Sequence, residues 1–257
     1  MTEDIGTILK NWNYDPENSI RKVVDENGTE KIQVRVDQGA FQGILQMELD
    51  GRPDGRKPHN EEFILDFCRN NLDNHITNRG TESGFNLNRK VCEELFEESR
   101  MLYERYIFLL QIQDYDRVIC DTERNMEMFR FINRYAAREK DRLNLEKWWP
   151  YILRIHAVAR VMIATQDNDY ETGIQIIRKT QEKIENLKEV DAEEFIFEKQ
   201  RSQKALDELI QELEHKQPLT ETEKIKKELV EAIEKEEFEK AAQLRDRLEE
   251  MGETADK

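Results

Sequence analysis

The chain has 257 residues, 37% hydrophobic and 37% charged, with a formal net charge of -16 and a mean hydropathy of -0.87. That balance is too polar for one large globular core, and 10 Gly with 5 Pro are too few for a loop-rich all-β chain. A mainly α (α+β), elongated protein is expected, and its acidic surface disfavours a phosphate backbone or an anionic membrane as direct partner.

The opening MTEDIGTILKNWNYD lacks the basic start and apolar run of a signal peptide. No apolar run reaches the ~20 residues that span a bilayer. Cys68, Cys92 and Cys120 are odd in number and include no CxxC pair, so they lack structural-zinc spacing and read as reduced thiols. A cytoplasmic, bacterial-type protein without cofactor or metal is the expectation. Within residues 1–60, positions 19 to 59 carry the β material. Asn27-Gly28 suits a tight hairpin because both residues tolerate positive φ. Ile32, Val34 and Val36 alternate with Gln33, Arg35 and Asp37, and Leu45, Met47 and Leu49 alternate with Gln46, Glu48 and Asp50. This predicts a small antiparallel sheet of three strands that leans on helices, with a solvated face carrying Arg35 opposite Glu48. The alternative for that polar face, with Gln33, Arg35, Gln42, Gln46 and Glu48, is a ligand groove.

Residues 61–190 read as a helical body. Phe63, Ile64 and Phe67 belong to its first helix, and Leu95, Leu102, Tyr106, Leu109 and Leu110 recur at helical spacing before a break at Gln113-Asp114. The pattern then repeats: Asp114-Tyr115-Asp116 aligns with Asp169-Tyr170-Glu171, Ile119 with Ile174, and Arg105 with Arg160. Helix, Asp-Tyr turn, helix resembles a tetratricopeptide pair, in which the tyrosine packs between antiparallel helices. Gly173 fits that pattern, Val118 and Asn125 depart from it, and the period exceeds the usual ~34 residues. A generic helical bundle is the alternative. Pro150 suits a first helical turn. Residues 191–216 form a projecting helix opened by an Asp191/Glu194 capping box and striped by Leu206, Leu209, Ile210 and Leu213. Gln217-Pro218 is a hinge.

Residues 217–257 begin with a Thr220/Glu223 capping box. Ile225, Leu229 and Ile233 stripe one helix, and Phe238, Ala241, Leu244, Leu248 and Met251 stripe the next. So short a unit exposes apolar surface and gains by pairing. Ala241 and Ala242 allow close approach of a helix, Arg245 can fork onto a carboxylate, and Asp246 can orient it. The contact residues are expected to be Phe238, Ala241, Ala242, Leu244, Arg245, Asp246 and Leu248. EEFEKAAQLRDRLEEM resembles the UvrB/UvrC (UVR) motif through Glu237, Phe238, Glu239, Ala241, Ala242, Leu244, Arg245 and Asp246. The resemblance covers about the last 35 residues. It implies a helical hairpin that docks onto proteins, often onto another UVR hairpin. Relatives act in excision repair, in McsA-type stress regulators and in ClpC-type unfoldase subunits. This chain has no Walker loop, four-cysteine cluster or nuclease constellation.

The remaining candidate is DGRPDGRKPH. Asp50 and Asp54 can hold a hard cation, or Arg52 and Arg56 an anion, with His59 and Arg35 nearby; Pro-Asp-Gly turn chemistry is the plainer account. His156, among Ile155, Val158 and Ala159, reads as a packing residue rather than a base. Trp148 and Trp149 either anchor a peptide or seal two hairpins. No nucleophile–base pair stands out, so no enzyme is expected. The functional expectation is an adaptor in protein quality control or stress response. The alternatives are an accessory factor of nucleotide excision repair, and a small-ligand or metal sensor using residues 50–59.

Overall fold

The computed structural model describes residues 4–17, 19–217 and 221–250, with only the backbone at 221, 223, 249 and 250. Contacts divide the chain into two units, Met1–Ile210 and Gln211–Lys257. The first opens with α1 (Gly6–Asn11), then β1 (Ile20–Val24), β2 (Glu30–Gln38) and β3 (Phe41–Glu48), which form an antiparallel sheet in that order. Helices α2 (Ile64–Arg79), α3 (Arg89–Gln111), α4 (Tyr115–Tyr135), α5 (Glu139–Asn144), α6 (Trp149–Gln166) and α7 (Tyr170–Glu185) follow, and α8 (Glu193–Lys216) crosses the unit boundary. The second unit continues with α9 (Glu221–Glu234) and α10 (Phe238–Glu250).

The sheet differs from expectation in two places. Asn27-Gly28 does not close a two-residue hairpin: the Asp25 carboxylate accepts from the Asn27 and Thr29 amides, each at 2.9 Å, and holds a longer loop. Of the pair, only Gly28 takes a positive φ, at 82°. The register sets Lys31 opposite Glu48 and Arg35 opposite Ile44. Lys31 therefore takes Glu48, at 2.7 Å. Arg35 is buried and donates to the Leu9 carbonyl of α1 at 3.0 Å. α1 itself buries none of its six residues, so it leaves no periodic signal. Phe63 is the N-cap of α2 rather than part of it. The first helical bond of α8 runs from the Ile196 amide to the Ala192 carbonyl, and Glu194 pairs with Lys147, so the Asp191/Glu194 box does not form. Pro150 does sit in the first turn of α6. Thr220, Pro218 and Met251, and the Glu223 side chain, lie outside the described residues.

Two apolar clusters join the sheet to α2, α3, α4 and α6 in the first unit. Leu65, Leu95, Leu102, Met128, Ile132 and Ile152 bring α2, α3, α4 and α6 together. Ile32 of β2 and Leu49 beyond β3 join Tyr106, Leu109, Tyr115, Val118, Ile155 and Ala159 in the other, so the sheet rests on the helical hairpins as expected. The hairpins share one joint. After α3, Gln113 turns left-handed at φ 60°, and after α6, Asn168 does so at φ 59°. The Asp114 amide then donates back to the Leu109 carbonyl, and Asp169 to Ala164, each at 2.9 Å. These bonds make the Schellman helix ending, with a non-glycine residue in the left-handed place.

The joint between α9 and α10 is a third copy. Glu236 has φ 57°, and the Glu237 amide donates to the Ala232 carbonyl at 2.8 Å. In all three, the residue opening the next helix is aromatic: Tyr115, Tyr170 or Phe238. The residue three further on, Val118, Gly173 or Ala241, donates its amide to the capping acidic residue's carbonyl.

Candidate functional site

The α9–α10 hairpin has its own core. Ile225, Ala232, Ala241, Leu244 and Leu248 are buried, with Leu229 packed against them. Three residues expected to meet a partner are therefore internal: Ala241, Leu244 and Leu248 face α9. Ala241 is the small residue that lets the two helices close, while Ala242 is exposed. Arg245 and Asp246 are exposed and paired at 3.2 Å. Phe238, at 70% exposure, Val230 and Ile233 are apolar and left in solvent. Helical spacing aligns Phe238, Ala242 and Arg245 on one face of α10, and the antiparallel hairpin turns Val230 and Ile233 to that side.

The shared joint gives this face a counterpart. Counting from the aromatic residue, Phe238 corresponds to Tyr115 of α4, Ala242 to Ile119 and Arg245 to Thr122. In α4 those positions meet α6. Tyr115 is 6% exposed, in one cluster with Ile155 and Ala159. Ile119 packs against that cluster, and Thr122 Oγ1 lies 3.0 Å from His156 Nδ1. The Thr122 hydroxyl also lies within reach of the Val118 carbonyl, at 2.7 Å, and of the Ile119 carbonyl, at 3.0 Å. Burial, then Arg160 and Lys183, push the His156 imidazole down to about 4. It is a neutral packing residue, as its apolar neighbours predict.

The residues of the 50–59 loop do not converge. Asp50 receives Arg117 at 3.1 Å, while Asp54 accepts Arg52 Nε at 2.8 Å and the Arg56 amide at 3.1 Å. The Arg56 side chain is largely exposed. His59 stacks on Phe67 at 4.0 Å and lies 3.4 Å from Glu94. Arg35 is committed to α1 and Asp37. Among the described residues no group of three or more His, Cys, Asp or Glu side chains could hold a metal.

Two buried ionic centres beside this loop escape the sequence reading. Glu98 of α3 is fully buried and accepts the Ile64 and Leu65 amides at 2.8 and 3.2 Å, with Arg52 Nη1 at 3.1 Å. It thus caps α2 from another helix, where the helix dipole favours an anion. Burial nevertheless lifts its carboxyl above the usual range, against those amides and Arg52. Arg105 grips Asp121 through two bonds, at 2.6 and 2.8 Å, and donates to the Glu48 and Gly51 carbonyls. These bonds tie the sheet and its following loop to α3 and α4. The available signal is that Glu98 and Arg105 fall three residues after Leu95 and Leu102, inside an apolar stripe.

Trp149 meets Phe129 edge-on at 5.3 Å and seals α4 against α6, whereas Trp148 stays partly exposed. Burial raises the Cys68 and Cys92 thiols to about 12 and about 11, and Cys120 is exposed. No helix among the described residues is long and apolar enough to cross a membrane. A family model described as the UvrB/uvrC motif matches residues 220–254. Comparison with curated proteins and with solved structures returns no match.

Proposed function

We propose that the chain is a non-enzymatic adaptor that docks a helix of a partner protein on Val230, Ile233, Phe238, Ala242 and Arg245. The observation that carries this reading is the correspondence with α4. The positions that α6 covers in the body are left bare on α10, and they keep an aromatic and a hydrogen-bonding side chain in the same order, with Ala242 standing where α4 has the larger Ile119. A helix seated as α6 sits on α4 would remove Phe238 from water, and a carboxylate on it would replace Asp246 as the acceptor for Arg245. The net charge of -16 favours a protein over a nucleic acid on this face. A quality-control or stress-response complex is the preferred setting. The match to the UvrB/uvrC motif favours one second reading, in which the partner is an excision-repair protein.

The test is crosslinking capture with the full chain and with the Phe238→Ala, Arg245→Ala double variant, alongside sedimentation of each for self-association. Both side chains are exposed, so the variant keeps its fold. Capture is expected to fall at least about tenfold, the effect of truncating one anchor residue. Undiminished capture by the variant would refute the assignment of this face.

A further inference from the structure

On α3 and α8, exposed cations pair within their own helix, as Lys90 does with Glu94, Arg100 with Glu97 and Lys204 with Glu208. The surface between α4, α6 and α7 departs from that habit. A groove of about 500 Å³ runs there, and Arg130, Lys179 and Lys183 stand exposed on its walls. Among the described residues none of the three has an ion pair, although Glu182 shares the wall with them. Lys179 and Lys183 are one helical turn apart on α7, and Arg130 comes from α4.

The Arg130 guanidinium stands over the Trp149 ring at 5.3 Å. Stacking fixes its plane and leaves the edge of the donor fork open, where a carboxylate binds. Trp149, Leu153 and Leu187 are half-buried and give the groove an apolar floor. Like charges gathered on low-dielectric walls focus a positive potential. Its reach shows at His156, where burial first, then Arg160 and Lys183, hold the imidazole neutral.

The rest of the molecule selects the kind of anion. The net charge is -16, and a long phosphate backbone would run on over that repulsive surface. A short segment feels chiefly the charges within a Debye length, about 8 Å at physiological salt. A lone small anion makes no use of the apolar floor. An acidic peptide carrying an apolar side chain matches both the walls and the floor.

We propose that this groove docks an acidic peptide segment of a partner protein, its carboxylates on Arg130, Lys179 and Lys183 and an apolar side chain over Leu153 and Leu187. The groove belongs to the first unit, and the proposal does not depend on the α9–α10 reading.

The test uses the intact chain and the dye-labelled peptide Glu-Asp-Leu-Glu-Asp-Phe, followed by fluorescence anisotropy. Competitors are the unlabelled peptide, its amide isostere Gln-Asn-Leu-Gln-Asn-Phe, inorganic phosphate and oligothymidylate. The acidic peptide is expected to bind saturably, to weaken as salt is raised, and to be displaced efficiently by its unlabelled form alone. Arg130→Gln with Lys183→Gln is expected to weaken binding about fivefold to tenfold, the effect of two exposed charge pairs. Arg89→Gln with Lys90→Gln makes the same change in net charge on α3 and is expected to leave binding as it was. All four side chains are exposed, so both double variants keep the fold. No binding, equal displacement by the amide peptide, or equal loss in the two double variants would each overturn the proposal. Equal displacement by phosphate would overturn it in favour of a small-anion site, and tighter binding of oligothymidylate in favour of a nucleic acid.

Discussion

His156 shows how a single side chain reports its surroundings. Its imidazole is buried between α4 and α6, hydrogen-bonds through Nδ1 to the Thr122 hydroxyl, and is held neutral down to about pH 4 by burial, Arg160 and Lys183. Unfolding restores an ordinary histidine, near 6.5. Between these values the unfolded chain takes a proton that the folded chain refuses, so stability is complete above about 6.5 and falls as pH drops toward 4. The loss is expected to reach about 3 kcal/mol at most. Urea titrations at pH 7 and pH 4.5, on wild type and on His156→Gln, measure it; the variant should lose less on acidification. His156 was legible in sequence because apolar neighbours surround it. Glu98 and Arg105 are not legible in the same way, because a charged residue in an apolar stripe shows that something answers it without showing what. Their answers lie far along the chain, in Arg52 and the start of α2 for one and in Asp121 and the Gly51 carbonyl for the other.

At the scale of elements, the helical joint is the recurring device. Two copies are visible in sequence as Asp-Tyr, with the helices breaking where the structure ends them. The third hides because Glu-Phe replaces Asp-Tyr and a short hairpin offers little periodicity for alignment. The β-hairpin was harder, since Asp25 side-chain bonding outbids the turn preference of Asn27-Gly28, and register cannot be read from alternation alone. The joints also carry backbone strain. Gln113, Asn168 and Glu236 occupy the left-handed region, where glycine pays no Cβ penalty. Glu236→Gly is expected to stabilise the α9–α10 hairpin by about 0.5–1 kcal/mol, and Asn168→Gly to gain less because Asn tolerates this conformation. Thermal unfolding of the two variants followed by circular dichroism checks the order.

At the scale of the whole molecule, the division into two units has an energetic meaning. The two clusters described for the first unit and the core around Ile225, Ala232, Ala241, Leu244 and Leu248 share no residue. Leu248→Ala should remove about 2–5 kcal/mol from the hairpin, the usual range for a fully buried leucine, and leave the main calorimetric transition of the body where it was. A matching shift of both transitions would show that the units melt as one. The Glu98 carboxylate also fixes an order of events. The first amides of α2 are held by a residue up to 34 positions downstream. On the ribosome α2 must therefore wait, its leading turn unsecured, until α3 has left the exit tunnel and swung back to meet it.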